Sequence, residues 1–292
     1  MAHDEFTIHL VSSASMNIFP DNTLAKFKNF LSQEINLEDD WRVAISEIIF
    51  PANLYNVTDS LVKIYRKQNI GKRIAETIQD GLSGNTISRK YRGESVKIKK
   101  GSYDTVESLI EELKNSTKLD LTAKVDPITG ILNMTFVEKD EGITFLTPQI
   151  PGILGFDGVK DMYGIHIGYK MNLGHEFGIM TDNTHDGNYP VDLSAGTELM
   201  FIYLDIIEHQ LLGDTKSPLL RVIDTNRRVK NGSVCNIEPN HRKVFSNLEY
   251  KKILVKNIQT IQVELRTETG NFVPFAGTGK VVITLTFKKF FA

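Results

Sequence analysis

The chain has 292 residues, 41% of them hydrophobic and 24% charged, with 34 basic against 36 acidic side chains. That length can bury one large core or two modest ones, and a formal charge of -2 gives no overall electrostatic reason to bind nucleic acid. The single cysteine, Cys235, excludes an internal disulfide and a multi-cysteine metal cluster.

The N-terminal "MAHDEFTIHLVSS" lacks the basic segment and apolar run of a signal peptide, and no apolar stretch approaches the ~20 residues of a membrane span. The expectation is synthesis and folding inside a cell. The dominant pattern is then alternation with period two. Phe6, Ile8 and Leu10 alternate with Thr7 and His9, and Trp41, Val43 and Ile45 alternate with Arg42, Ala44 and Ser46. Successive side chains of a strand point to opposite faces, so each segment offers one face to a core. His9 falls on the polar side, where a surface histidine is expected.

The middle of the chain reads differently. Residues 70–95 carry glycines 71, 81, 84 and 93 among charges and read as a long loop. Within them "GLSGN" misses the nucleophile elbow, because Asn85 stands where the second glycine is required after Ser83. Arg89, Lys90, Arg92, Lys97, Lys99 and Lys100 form the densest basic segment. A solvated edge strand protected by charge accounts for it better than a nucleic-acid contact. In "SYDTVESLIEELKNS", Val106, Leu109, Ile110 and Leu113 fall on one helical stripe, with Asp104 as expected N-cap and Glu107 three residues on. "LTAKVDPITGILNMTFV" predicts a hairpin turning at Pro127 and Gly130. "TPQIPGILGF" (Thr147–Phe156) predicts a short helix limited by its prolines.

Residues 172–196 again read as loop. His175-Glu176 opens like a zinc-protease motif, but Ile179 stands where the second histidine belongs. "TDNTHDG" (Thr181–Gly187) has the oxygen ligands of a calcium loop, yet Thr184 and His185 break the alternation, which favours a solvated loop. "ELMFIYLDII" (Glu198–Ile207) is apolar on both faces and predicts a central strand. Ile261, Val263 and Leu265 alternate with Gln262, Glu264 and Arg266. Val281, Ile283, Leu285 and Phe287 alternate with Val282, Thr284, Thr286 and Lys288. Between these two segments, Gly277-Thr-Gly-Lys280 imitates a phosphate loop. Pro274 occupies the position of its first glycine, Val281 that of its Ser/Thr, and a strand follows where a helix is required. It reads as a turn.

These elements predict a mainly β protein, an antiparallel sandwich made of residues 1–58 and 190–292 and interrupted by a mixed α+β insertion over 59–189. Trp41, Ile45, Phe201, Ile261, Val263, Ile283 and Leu285 are its expected core. No residue is assigned a catalytic, cofactor-binding or metal-binding role. Three classes fit the residues: a shell component, an intracellular β-sandwich module binding carbohydrate or protein, and a hydrolase with a dispersed active site.

One resemblance goes further. It is carried, in order, by "HLVSSASMNIFPDNTLAKFKNFL" (His9–Leu31), "WRVAISEIIFPANLYNV" (Trp41–Val57), "KIKKGSYDTVESLIEELK" (Lys97–Lys114) and "ILGF" (Ile153–Phe156). "IYLDIIEHQLLGDTKSPLLRVI" (Ile202–Ile223) and the closing "IQVELRTETGNFVPFAGTGKVVITLTF" (Ile261–Phe287) complete it. The set resembles the penton, or minor capsid, proteins of Polinton/Maverick elements, virophages and adintoviruses. That resemblance implies a jelly roll forming homopentamers at the five-fold vertices of an icosahedral capsid. It implies contacts with major capsid protein trimers at the base and an inserted domain projecting outward toward a host surface receptor. The exposed loops Pro20–Thr23 and His185–Pro190 are the expected places for the contacts between subunits.

Overall fold

The computed structural model describes residues 4–58, 60–67, 77–79, 86–88, 91–137, 141–147, 149–156, 165–168, 184–194, 197–225, 229–230, 233–234, 239–277 and 279–290. The first strands are β1 (Glu5–Val11), β2 (Lys26–Asn36) and β3 (Asp40–Pro51). The middle carries β4 (Ser60–Lys67), β5 (Thr77–Gln79), β6 (Thr86–Ser88), β7 (Tyr91–Ile98), α1 (Val106–Thr117), β8 (Leu121–Val125), β9 (Ile131–Phe136), β10 (Glu141–Phe145), α2 (Gln149–Ile153), β11 (Ile165–Gly168) and β12 (Thr184–Pro190). Then follow β13 (Leu199–Leu204), β14 (Gln210–Leu212), β15 (Thr215–Ser217), β16 (Leu219–Asp224), β17 (Val229–Lys230) and β18 (Ser233–Val234). The last are β19 (Asn240–Val244), β20 (Lys251–Lys252), β21 (Asn257–Arg266) and β22 (Val282–Phe290).

The chain divides into two compact units. One takes residues 1–55, 196–228 and 235–292, the other residues 56–195 and 229–234. In the first unit two antiparallel sheets run β1-β22-β3-β19 and β16-β13-β21-β2, with β20 added to β3. Counting its eight principal strands in chain order, the sheets read 1-8-3-6 and 5-4-7-2. The first strand lies beside the last, and consecutive strands repeatedly change sheet. This is the wrapping of a jelly roll.

Its core is one cluster fed by both sheets. Leu10, Val43, Ile45, Ile48, Phe50, Ile283, Leu285 and Phe287 come from one; Phe27, Met200, Ile202, Leu204, Ile261, Val263 and Leu265 come from the other. Two sequence expectations need correction. Phe201 is only half-buried, and Met200, Ile202 and Leu204 supply the core face of β13. A run apolar on both faces leaves its phase to its neighbours, and pairing with β16 and β21 turns Phe201 outward. Trp41 packs against the rim of the core, 5.3 Å from the Phe6 ring, and is half-buried. In β3 the buried positions change phase, from Val43 and Ile45 to Ile48 and Phe50. A register shift against β22, between Thr284 and Leu285, accounts for it by giving β3 one extra residue at Ser46.

The turn before β22 follows from close approach rather than phosphate chemistry. Gly277 has φ +94, and a Cβ on Gly279 would lie 2.3 Å from Cγ of Pro51.

In the second unit a four-stranded sheet, β11-β10-β4-β7, and a three-stranded sheet, β12-β9-β8, share a core with both helices. Helix α1 buries Val106, Leu109, Ile110 and Leu113. Its N-cap is Thr105 and not Asp104: Thr105 is extended, its hydroxyl accepts from Ser108 N–H at 3.1 Å, and Ser108 completes the capping box where Glu107 was expected. Lys118, at φ 57, closes the C-terminus. The hairpin β8–β9 and the short helix α2 lie where the sequence pattern puts them.

Two expected loops contain strands. Residues 70–95 hold β5, β6 and the start of β7, and β7 is an edge strand, as its charge pattern predicts. Thr184–Gly187, expected in a solvated loop, belong to β12, which pairs with β9. The composition THDGNYP disfavours a strand, but β12 is at a sheet edge and its register shifts between Asp186 and Pro190. Glycine and proline are tolerated at such a place. His185 is buried beside Phe136, and Asp186 accepts from the Asn133 amide at 2.6 Å.

Candidate assembly surface

The sequence weighs several residues for chemistry. Ser83, His175, Glu176, Asp182 and Cys235 lie outside the described residues. Among the described residues no group of three or more His, Cys, Asp or Glu could hold a metal ion, and no helix is long and apolar enough to cross a membrane. Titration is perturbed at scattered positions. Burial pushes the Tyr103 hydroxyl up to about 12, aided by the Glu112 charge. Burial also raises the Asp205 carboxyl, against the hydrogen bond it accepts from Gln262 N–H at 2.9 Å. Burial lowers the Lys243 amine.

What the jelly-roll unit does present is two unlike edges. At the first, β1 and β2 end their sheets, and the buried Asn29 of β2 joins them: its Oδ1 accepts from Val11 N–H at 2.8 Å and its amide donates to Val11 C=O at 3.0 Å. The β1–β2 loop folds back on β2 and satisfies its outer backbone. Asn22 accepts from Lys28 N–H at 2.9 Å and donates to Lys28 C=O at 2.9 Å, and Ser15 Oγ accepts from Phe30 N–H at 3.0 Å. A free sheet edge invites pairing with other chains, and here side chains occupy it. The same loop leaves Met16 and Ile18 exposed, with exposed Phe30 in the strand it caps. The expected contact segment Pro20–Thr23 belongs to this loop; His185–Pro190 is instead β12 of the second unit.

At the second edge lie β16 and β19. Arg221 of β16 is held to the segment that follows β19, stacked 4.2 Å from the Phe245 ring, donating to Asn247 C=O at 2.9 Å and paired with Glu249 at 3.3 Å. Between the β14–β15 hairpin and β16 runs a groove of ≈ 750 Å³. It is lined by four consecutive β16 residues, Leu219 to Val222, which alternating side chains of one face cannot do, so it follows the edge of the strand. Leu211, 77% exposed, and exposed Val222 and Val244 supply apolar surface.

No protein-family model and no curated protein matches the sequence. Two solved structures are similar over nearly the whole chain. The mavirus penton protein, in a crystal structure, has 10% identity and a TM-score of 0.41 over 98% of this chain and 99% of its own. A chain of the Sputnik virophage, in a 3.5 Å electron cryo-microscopy structure, has 11% identity and a TM-score of 0.45 over 98% of both. At these scores the jelly-roll assignment rests on strand order and register, not on the likeness.

The outer face of the second sheet carries a charge cluster. Glu264 accepts from Arg266 Nη2 at 2.6 Å and pairs with Lys26 at 3.2 Å, while Arg266 stacks 4.5 Å from the Phe272 ring. Burial pushes the Glu264 carboxyl up, but Arg266 and Lys26 outweigh it and hold it below the usual range. A depressed acid stabilises the fold above its unfolded pKa and loses that contribution as pH falls through its folded value. The stability difference between the wild type and Glu264→Gln is therefore expected to be under ~1 kcal/mol at neutral pH and to vanish at low pH. Urea unfolding across that range measures it, and a difference independent of pH would contradict the assignment.

Proposed function

We propose that this chain is a structural, non-enzymatic capsid protein that forms homopentamers at the five-fold vertices of an icosahedral virion. The observation that carries the reading is the jelly-roll strand order, with residues 56–195 of the second unit inserted between its third and fourth principal strands, β3 and β13, and residues 229–234 between its fifth and sixth, β16 and β19. That arrangement accords with the penton resemblance of the sequence, from which the number five comes. A cyclic ring repeats one heterologous interface, so each subunit offers two different patches. The two unlike edges meet this requirement: Met16, Ile18 and Phe30 on one side, Leu211, Val222 and Val244 on the other.

In this reading the jelly rolls sit side by side, their base meets major capsid protein trimers, and the inserted unit projects outward toward a host receptor. The protein is made in the host cell and resides in the virion. An interface stable on its own buries at least ~1,000 Å² in total. Native mass spectrometry of the purified chain, followed by electron cryo-microscopy of assembled particles, tests the proposal. A pentameric ring is the expected species. A monomer in dilute solution is compatible if the capsid closes the ring, whereas a particle holding this chain away from every five-fold vertex overturns it.

A further inference from the structure

We infer that the β1–β2 loop is a built-in guard, closed by Asn22, that withholds the edge of β2 from pairing with a second copy of this chain. The inference is independent of the capsid reading. Strand β2 ends its sheet and pairs with β21 alone among the described strands. In an antiparallel ladder alternate residues turn both backbone groups toward the partner strand. Leu265 N–H donates to Ala25 C=O, so Ala25, Phe27 and Asn29 face β21, and Lys26, Lys28 and Phe30 turn their backbone groups outward. The loop meets all three. Thr23 takes Lys26: its hydroxyl accepts from Lys26 N–H at 3.0 Å and its own N–H donates to Lys26 C=O at 2.7 Å. Asn22 takes both groups of Lys28, and Ser15 takes Phe30 N–H. A side-chain amide carries the donor and acceptor of a peptide group, so Asn22 stands in for a residue of the missing strand.

The loop is fastened for this role. The Asn22 side chain also donates to Ala14 C=O at 3.1 Å, and Lys28 Nζ lies 5.4 Å from the Phe19 ring. Ser15 holds φ 58, disfavoured for a residue with a Cβ, and its C=O accepts from Ile18 N–H at 3.0 Å and Phe19 N–H at 2.8 Å. Without the guard, the occupant that fits β2 is β2 itself. Both edges are already extended strands, so pairing orders nothing new. An antiparallel pair can set Lys28 of each copy opposite Phe30 of the other, which keeps like charges apart. Such a pair is two-fold and isologous, so it doubles the mass of whatever species the wild type forms.

The test uses the full chain as wild type and as Ser15→Ala/Asn22→Ala, which removes the side-chain partners of Lys28 and Phe30 and leaves the β21 ladder intact. In dilute solution the Lys28 and Phe30 amides are expected to exchange slowly in the wild type and at least about tenfold faster in the variant. Sedimentation velocity of the variant is expected to show a species of twice the wild-type mass as its concentration rises toward about 1 mM. Adding Lys28→Pro removes an outward N–H, is tolerated on an edge strand and restores the wild-type mass. Asn22→Asp keeps the acceptor for Lys28 N–H and loses the donor to Lys28 C=O. It gives a smaller acceleration and a weaker association, and it carries both readouts if the double variant does not fold. Fast exchange at Lys28 and Phe30 in the wild type overturns the proposal, as does a folded variant that keeps the wild-type exchange or the wild-type mass. Doubling that survives Lys28→Pro puts the contact on another surface and overturns it as well.

Discussion

Replacing Phe287 by alanine is expected to destabilise the jelly-roll unit by about 3–5 kcal/mol. The side chain is fully buried in the cluster that both sheets share. It lies directly opposite Phe6 in the β1–β22 ladder, and the rings stack with centroids 4.8 Å apart and planes 6° from parallel. Truncation removes the apolar area and leaves a cavity that β22, held between β1 and β3, cannot collapse to fill. Phe6→Ala serves as the control: the same ring pair is broken, but Phe6 is only half-buried, so the loss is smaller. Calorimetry or urea unfolding of both variants reads the effect. A loss below about 1 kcal/mol for Phe287→Ala would place the residue outside a packed core.

Gly155→Ala is expected to be comparably damaging to the second unit, for a backbone reason. Gly155 sits at φ +78, and a Cβ there would stand 2.0 Å from the carbonyl oxygen of Tyr189. The left-handed conformation alone costs an L-residue about 1–2 kcal/mol. The overlap must also be relieved by moving a turn whose Gly155 C=O accepts from Asn188 N–H at 2.7 Å and Tyr189 N–H at 2.9 Å. Both bonds anchor the end of β12 to the segment after α2. The expected loss is therefore several kcal/mol, read as a lower unfolding midpoint and as faster amide exchange at Asn188 and Tyr189. Gly152→Ala is the matched control: a Cβ at that position meets nothing within 4 Å, so it should be near neutral. Equal stability of the two variants would refute the geometry at Gly155.

Alternation made the strands legible wherever one face of a strand meets a core and the other meets polar surroundings. Ile261, Val263 and Leu265 in β21 and Ile283 and Leu285 in β22 were readable as core for that reason, and all are buried. The helical stripe of α1 was equally plain, because four apolar residues at helical spacing have no other economical use. The N-cap was not, since Asp104 and Thr105 are both competent and only the backbone angles choose between them. Among candidate surfaces, the β1–β2 loop was visible as a polar turn. Its role in covering β2 was not, because the pairing of Asn22 with Lys28 depends on how the loop folds back.

The sequence by itself determined the strand-rich class, the helix and the failure of each catalytic motif at a named position, since these depend on local spacing and on residue chemistry. Tertiary structure alone decided the rest. Phe201 turns outward because two neighbouring strands set the phase of β13. THDGNYP becomes β12 because β9 offers it a ladder at a sheet edge. The two edges of the jelly roll exist only as pairings made or left unmade between segments far apart in the chain. A backbone hydrogen bond does not depend on the side chain that carries it, so its absence along an edge leaves no mark in the residue pattern.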